Sequence, residues 1–220
     1  MPAKDRPEIE FVYFDLGNVL LFFDHQRACR QMAELSGASH DVIWSRVFQG
    51  ELQIAYETGD VDCEAFDRLF RETCGPCSEY SLADLKRATS DIFVPNEAGF
   101  AAAQKVAEAG VRRGILSNTC PAHWEFVLEQ DYGPRLAAFD VHALSYELRS
   151  MKPAEAIYRR AAELAGAPLE RILFLDDRPE NVDAALRAGY HAHVYDPTFD
   201  FDATWASYRH VPANGEVCGN

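Results

Sequence analysis

Phe11-Val12-Tyr13-Phe14-Asp15-Leu16-Gly17-Asn18-Val19-Leu20 is the stretch whose reading decides the fold. Four apolar or aromatic residues run straight into an aspartate, glycine follows two places later, and the chain turns apolar again. Such an uninterrupted apolar run reads as a parallel strand buried on both faces. In open α/β sheets ligands bind beyond the carboxyl ends of the strands, which places Asp15 where chemistry happens, as a nucleophile or a metal ligand.

Four more apolar runs have the same character: residues 111–117, 139–145, 171–176 and 190–195. Helical patterns lie between the later ones. Residues 96–109 are Ala-rich with a stop at Gly110, 154–165 follow Pro153 and stop at Gly166, and 179–188 open on Pro179 and stop at Gly189. Strands alternating with helices predict an α/β fold with a parallel sheet and right-handed crossovers. The gap between the first two strands is different. From about 24 to 95 there are helical patterns (25–36, 41–50, 62–73, 82–92) and no clear strand. A segment of about 70 residues is too long for a plain crossover loop, so a small helical insert beside the sheet is expected. The tail after Tyr208 reads as weakly ordered.

Bulk composition narrows the function. The 220 residues suit one domain with a sizeable core, or a core and a smaller insert. A net charge of -14 supplies no basic stripe for a nucleic acid backbone. No apolar run approaches the ~20 residues of a membrane span, and Met1-Pro2-Ala3-Lys4-Asp5-Arg6 lacks the apolar core of a signal peptide. A cytoplasmic protein without nucleic acid or membrane partners is expected; oligomeric state is not legible. The six cysteines are then expected to be reduced thiols. Cys74-Gly75-Pro76-Cys77 has the spacing of a redox pair, but a helical pattern precedes it where such a pair needs a strand, so a helix-ending turn is the better reading.

The other strand ends carry polar groups: Ser117-Asn118-Thr119, Ser150-Met151-Lys152-Pro153, and Asp176-Asp177 followed by Arg178-Pro179-Glu180-Asn181. Asp15, Asp176 and Asp177 would crowd three carboxylates into one crevice, and like charges that close need a cation. Lys152 offers one positive charge; a divalent ion offers two, and oxygen donors with room for water and phosphate suit Mg²⁺. Attack by Asp15 on phosphorus, with an aspartyl-phosphate then hydrolysed by water, is the reaction this set predicts. Ser117, the amide of Asn118 and Lys152 would hold the phosphoryl oxygens.

These motifs, in this order over nearly the full length, resemble the haloacid dehalogenase superfamily: Asp15-Leu16-Gly17-Asn18-Val19, Leu116-Ser117-Asn118-Thr119, Lys152-Pro153, and Asp176-Asp177 with Asn181. Within it the chain is most similar to bacterial α-D-glucose-1-phosphate phosphatases and the N-terminal phosphatase domain of soluble epoxide hydrolase, through the Asp-Leu-Gly-Asn opening, the Glu57-Thr58-Gly59-Asp60 turn and Lys152-Pro153 followed by Ile157-Tyr158. The resemblance implies a Rossmann-like five-stranded core (1–23 and 96–220) with helices on both faces and a helical cap (24–95) inserted after the first strand. It implies Asp15 as nucleophile, Mg²⁺ on Asp15, the backbone carbonyl of Gly17 and Asp177, and Asp176 behind them. The expected activity is a Mg²⁺-dependent phosphatase of a small phosphorylated metabolite, a sugar phosphate among the candidates. Two alternatives are 2-haloacid dehalogenation, disfavoured because adjacent aspartates would repel a carboxylate substrate, and a binding protein that has lost turnover.

Two residues depart from the superfamily pattern. Most such phosphatases have a second aspartate at the Gly17 position, which shuttles a proton; the glucose-1-phosphate phosphatase relatives share the glycine. Arg149 stands where glycine is common, and would contact substrate or point to solvent. Asp24 and His25 belong to a flap over the site or else cap a helix and meet solvent. His191 and His193 lie on an edge-like strand away from the acids.

Overall fold

The computed structural model describes residues 8–74 and 78–208. Five parallel strands, β1 (Phe11–Phe14), β4 (Arg112–Ser117), β5 (Val141–Leu144), β6 (Ile172–Asp176) and β7 (His191–Val194), lie in the order β5-β4-β1-β6-β7. Strand β1 is therefore central. The chain moves outward from it on one side, returns, and moves outward on the other, which puts the crevice of an α/β sheet at the tip of β1.

Alternation along β1 sorts the helices into two layers, because successive side chains of a strand point to opposite faces. Val12 and Phe14 pack into one cluster with Phe100, Ala103 and Val106 of α6 (Glu97–Glu108), Trp124 and Val127 of α7 (Pro121–Glu129), Leu136 of α8 (Gly133–Ala137), and Trp205 of α12 (Phe201–Tyr208). Phe11 and Tyr13 pack into the other with Ile157, Tyr158 and Ala161 of α10 (Glu155–Ala165) and Val182 and Ala185 of α11 (Pro179–Ala188). All four residues of β1 are fully buried, as the unbroken apolar run predicts.

Between β1 and β4 the chain forms α1 (His25–Ser36), α2 (His40–Ile43), a π-helical turn (Trp44–Phe48), α3 (Glu51–Glu57), α4 (Cys63–Cys74) and α5 (Leu82–Ser90). These helices share a third apolar cluster, Cys29, Met32, Ile43, Val47, Tyr56, Phe66, Phe70 and Leu85, joined by Cys120 and Ala122 at the start of α7.

Several elements differ from the sequence expectation. The expected helix 41–50 is four α-helical residues running into the π-helical turn, and α3, α7, α8 and α12 were not expected as helices. Nor is the segment up to residue 95 free of strand: β2 (Leu21–Phe23) and β3 (Phe93–Pro95) pair antiparallel where the chain leaves and rejoins the sheet layer. Three-residue strands are too short for a period-two pattern to register. Ser145 opens the short helix α9 (Ser145–Leu148) rather than closing β5. Cys29, Cys63 and Cys120 carry free thiols. Cys77 and the tail beyond Tyr208 lie outside the described residues, and with them the readings of the Cys74/Cys77 pair and of the tail. No helix among the described residues is long and apolar enough to cross a membrane.

Candidate active site

Asp15 leaves β1 beside Leu175 of β6, to whose carbonyl its own N–H donates a 2.8 Å hydrogen bond. The chain then turns at once: Leu21 N–H donates to Leu16 O (2.8 Å), Asn18 N–H donates to Leu21 O (2.7 Å), and Asn18 adopts φ 56°, a left-handed conformation that Asn tolerates better than most residues. This loop leaves the Asp15 carboxylate at the crevice, where Oδ1 accepts from Leu16 N–H at 2.7 Å.

Lys152 ties the strand tips together. Its Nζ lies 2.7 Å from Asp15 Oδ1, 2.6 Å from Asp176 Oδ2 and 3.0 Å from Leu116 O, so all three of its protons are placed. Asp15 is 7% exposed, Lys152 4% and Asp176 0%, which makes this a desolvated triad. The side chain of Asn118 holds the Lys152 backbone at both ends, donating to its carbonyl (2.9 Å) and accepting from its N–H (2.8 Å). Its side chain is thus committed to Lys152. Ser117, buried at the end of β4, donates to Asn118 O at 3.3 Å.

The two adjacent aspartates face different ways. Asp176 is saturated by Lys152, by both oxygens accepting from Asn181 Nδ2 (3.0 and 3.1 Å), and by Arg178 N–H (2.9 Å). Asp177 lines the cavity and accepts from Asn18 Nδ2 at 2.8 Å. Carboxylate oxygens of Asp15, Asp176 and Asp177 all lie within 4.8 Å of one another. Burial pushes the Asp15 carboxyl up, to about 8, against the pull of Lys152, and Asp176 and Asp177 add to the rise. Burial alone would lower Lys152, but the two carboxylates outweigh it and hold the ammonium charged. The cluster therefore has more negative charge than one ammonium balances, and its donors are all oxygen. Both features fit a hard divalent cation.

The cavity above this cluster has a volume of about 420 Å³, and Asp15, Gly17, Ser117, Asn118, Lys152 and Asp177 line it. Every residue singled out from the sequence as binding or catalytic is in this wall except Asp176, which lies behind it. Asn181 secures Asp176 and also reaches the cavity.

Other expectations resolve differently. Asp24 is the N-cap of α1, accepting from Gln26 N–H at 2.8 Å and pairing with Arg30 at 3.2 Å, and it does not line the cavity. His25 does face the cavity, its ring 4.7 Å from that of Phe23 and 5.0 Å from that of Phe48. Arg149 contacts neither substrate space nor open solvent alone: it donates to Gly59 O and pairs with Asp60 at 3.7 Å. His193 bonds Tyr208 OH at 2.9 Å on the edge strand, away from the acids.

Phe23, Glu57, Phe93 and His123 also line the wall and were not singled out from the sequence as site residues; Thr119 and Arg178, read only as polar groups at the strand ends, join them. His123 is buried and bonds Thr89 O through Nε2 at 3.2 Å; burial lowers its pKa to about 4. For Glu57 there was a signal: it opens the Glu57-Thr58-Gly59-Asp60 turn that marked the resemblance.

The chain is similar to several known proteins. Protein CbbY of Cereibacter sphaeroides is 29% identical over 200 residues, spanning 84% of each chain. A D-ribitol-5-phosphate phosphatase of Bacteroides thetaiotaomicron is 24% identical over 194 residues, 83% of this chain and 89% of its own. The fold superposes on a HAD family enzyme of Bacteroides thetaiotaomicron, solved in complex with magnesium and inorganic phosphate, with a TM-score of 0.77 and 23% identity, covering 90% of this chain and 99% of that one. The profile of the haloacid dehalogenase-like hydrolases matches residues 9–189. With that match across most of its length, the chain belongs to the haloacid dehalogenase-like hydrolases.

Proposed function

We propose that this hydrolase is a Mg²⁺-dependent phosphatase of a small phosphorylated metabolite, a sugar phosphate among the candidates, working through an aspartyl-phosphate on Asp15. The observation that carries the reading is the cluster itself. A strand-tip carboxylate lies 2.7 Å from a buried ammonium and within 4.8 Å of two more carboxylates, at the floor of a 420 Å³ cavity. A relative named as a D-ribitol-5-phosphate phosphatase and a fold neighbour solved with magnesium and inorganic phosphate support the same chemistry.

Asp15, the Gly17 carbonyl and Asp177 would hold the ion, with Asp176 behind them. When bound, Mg²⁺ supplies charge neutralisation for an anionic nucleophile and an anionic phosphoryl group. Asp15 attacks phosphorus in line, and the bond from phosphorus to the leaving oxygen breaks. Ser117 Oγ and the backbone N–H of Asn118 receive the phosphoryl oxygens. Lys152 keeps Asp15 and Asp176 compatible at one site by standing between them. Water then attacks the aspartyl-phosphate and regenerates Asp15.

Residues 24–95 act as a cap over a core of residues 1–23 and 96–220, and the cap brings His25, Glu57 and Phe93 to the cavity wall. A net charge of -14 supplies no basic stripe for a nucleic acid, which leaves a small metabolite as the substrate class.

Phosphate release from a panel of sugar phosphates, nucleotides and phospho-acids tests this. Release with Mg²⁺ is expected for a subset, abolished by EDTA, restored by excess Mg²⁺, and absent in Asp15→Asn. No release across the panel contradicts it. Metal-independent chloride release from 2-chloropropionate would assign the site to dehalogenation instead.

A further inference from the structure

A phosphomonoester cannot lose a basic alkoxide readily unless a proton reaches the leaving oxygen, and water attack on the aspartyl-phosphate then needs a base. Position 17 offers no carboxylate. A Cβ there would come within 2.8 Å of Phe23 Cε1, so the space an acidic side chain would enter is taken by that ring. Asp176 is saturated, Asp177 is held by Asn18, and Lys152 has no proton to spare. His123 has its Nε2 committed to Thr89 O.

Glu57 is the remaining carboxyl in the cavity wall. It is the last residue of α3 and half-buried. Its Oε1 accepts from Gln53 Nε2 at 2.6 Å, and Oε2 has no hydrogen-bond partner among the described residues. The backbone that carries it is clamped to the sheet layer. Ser145 Oγ lies 2.6 Å from Glu57 O, Arg149 donates to Gly59 O and pairs with Asp60, and Gly59 (φ 75°) packs so closely that a Cβ would stand 2.3 Å from Tyr146 O. Four contacts across residues 57–60 hold this turn in place.

We propose that Glu57 is the general acid and base of this site, supplying from the cap the proton that Gly17 cannot. This rests on the phosphatase reading above. In the first step the Asp15 carboxylate forms the O–P bond, the bond from phosphorus to the leaving oxygen breaks, and the proton on Glu57 Oε2 passes to that oxygen, giving a free alcohol and a Glu57 carboxylate. In the second step water adds to phosphorus and gives a proton to Glu57, the bond to Asp15 breaks, and phosphate leaves with both carboxyls restored. Burial raises the Glu57 pKa, against the hydrogen bond from Gln53 and the charges of Lys152 and Arg178, and so favours the protonated donor. Those two cations and the Cys120 thiol are the titratable groups that bear on it. On the elements packed against it, Tyr146 pairs with Glu147, Tyr56 with Cys63 and Arg149 with Asp60.

The test is kcat/KM, with Mg²⁺, for wild type and Glu57→Gln on 2,4-dinitrophenyl, 4-nitrophenyl and phenyl phosphate, whose leaving groups need a proton increasingly. Glu57→Gln keeps the side-chain volume, and its unfolding midpoint in urea serves as the folding control. The variant is expected to lose about 10²–10⁴-fold on phenyl phosphate and at least tenfold less on the dinitrophenyl ester. The fall of wild-type activity at rising pH is expected to disappear in the variant. Equal losses on all three esters, or a loss below about tenfold on phenyl phosphate, overturn the role of Glu57. A wild type that releases phosphate from none of them overturns the phosphatase reading, and this inference with it.

Discussion

The Nζ of Lys152 lies 2.7 Å from Oδ1 of Asp15, and its other two protons go to Asp176 and to the carbonyl of Leu116. Removing one partner of a buried ion network leaves uncompensated charge, which typically costs about 3–5 kcal/mol. Lys152→Met is therefore expected to lower the urea unfolding free energy by roughly that amount and to abolish phosphate release. Lys152→Arg is expected to restore neither, because a planar guanidinium cannot direct three N–H groups as a compact ammonium does. A stability change below about 1 kcal/mol in Lys152→Met would show that the network is not what it is described to be.

Asn18 donates to Asp177 at 2.8 Å from a left-handed backbone position. Asn18→Gly keeps that backbone and removes the amide. Partners that orient a metal ligand are typically worth 10–100-fold in metal affinity. The Mg²⁺ concentration for half-maximal activity is expected to rise by about that factor, with little change in the unfolding midpoint. An unchanged Mg²⁺ requirement would remove Asp177 from the ion's ligands.

The hydroxyl of Ser145 receives the N–H of Thr119 at 2.9 Å and reaches Glu57 O at 2.6 Å. It joins the phosphate-side loop to the turn that carries Glu57. Ser145→Ala leaves these backbone groups unpaired, at a cost of about 1–3 kcal/mol. Phenyl phosphate turnover should fall more than dinitrophenyl phosphate turnover, since the carboxyl would be displaced rather than deleted. A uniform loss on both esters would make Ser145 a purely structural residue.

His123 is held neutral by burial, with its pKa lowered from 6.5 to about 4. The unfolded chain binds this proton below about pH 6.5 and the folded chain does not until about pH 4, so stability falls as the pH drops through that window. The loss amounts to something on the order of 3 kcal/mol. Urea unfolding at pH 7 and near pH 4 should show a steeper loss for wild type than for His123→Gln. Parallel losses would mean that His123 is solvated.

Much of this was legible in the chain because the decisive signals are local. An unbroken apolar run ending in Asp15 specifies a buried parallel strand, and Lys152 in its loop and Asp176-Asp177 at the end of β6 lie where a parallel sheet must bring them to the same end. The missing pieces are non-local or short. The ribbon of Leu21–Phe23 with Phe93–Pro95 joins strands about 70 residues apart in sequence and only three residues long. Glu57 gains its place from Ser145, Tyr146 and Arg149, nearly ninety positions away. Arg149 read as a cation beside the site, and it is instead half of the clamp on that turn.

Covalent chemistry at Asp15 is the centre of the account, and it can be weighed directly. The enzyme is mixed with an intact aryl phosphate that it hydrolyses and Mg²⁺, quenched in acid during turnover, digested, and its peptides measured by mass spectrometry. The peptide containing Asp15 should carry the mass of one phosphoryl group, and the adduct should vanish when substrate is exhausted and be absent in Asp15→Asn. Phosphate release without an adduct, together with wild-type turnover in Asp15→Asn, would contradict it.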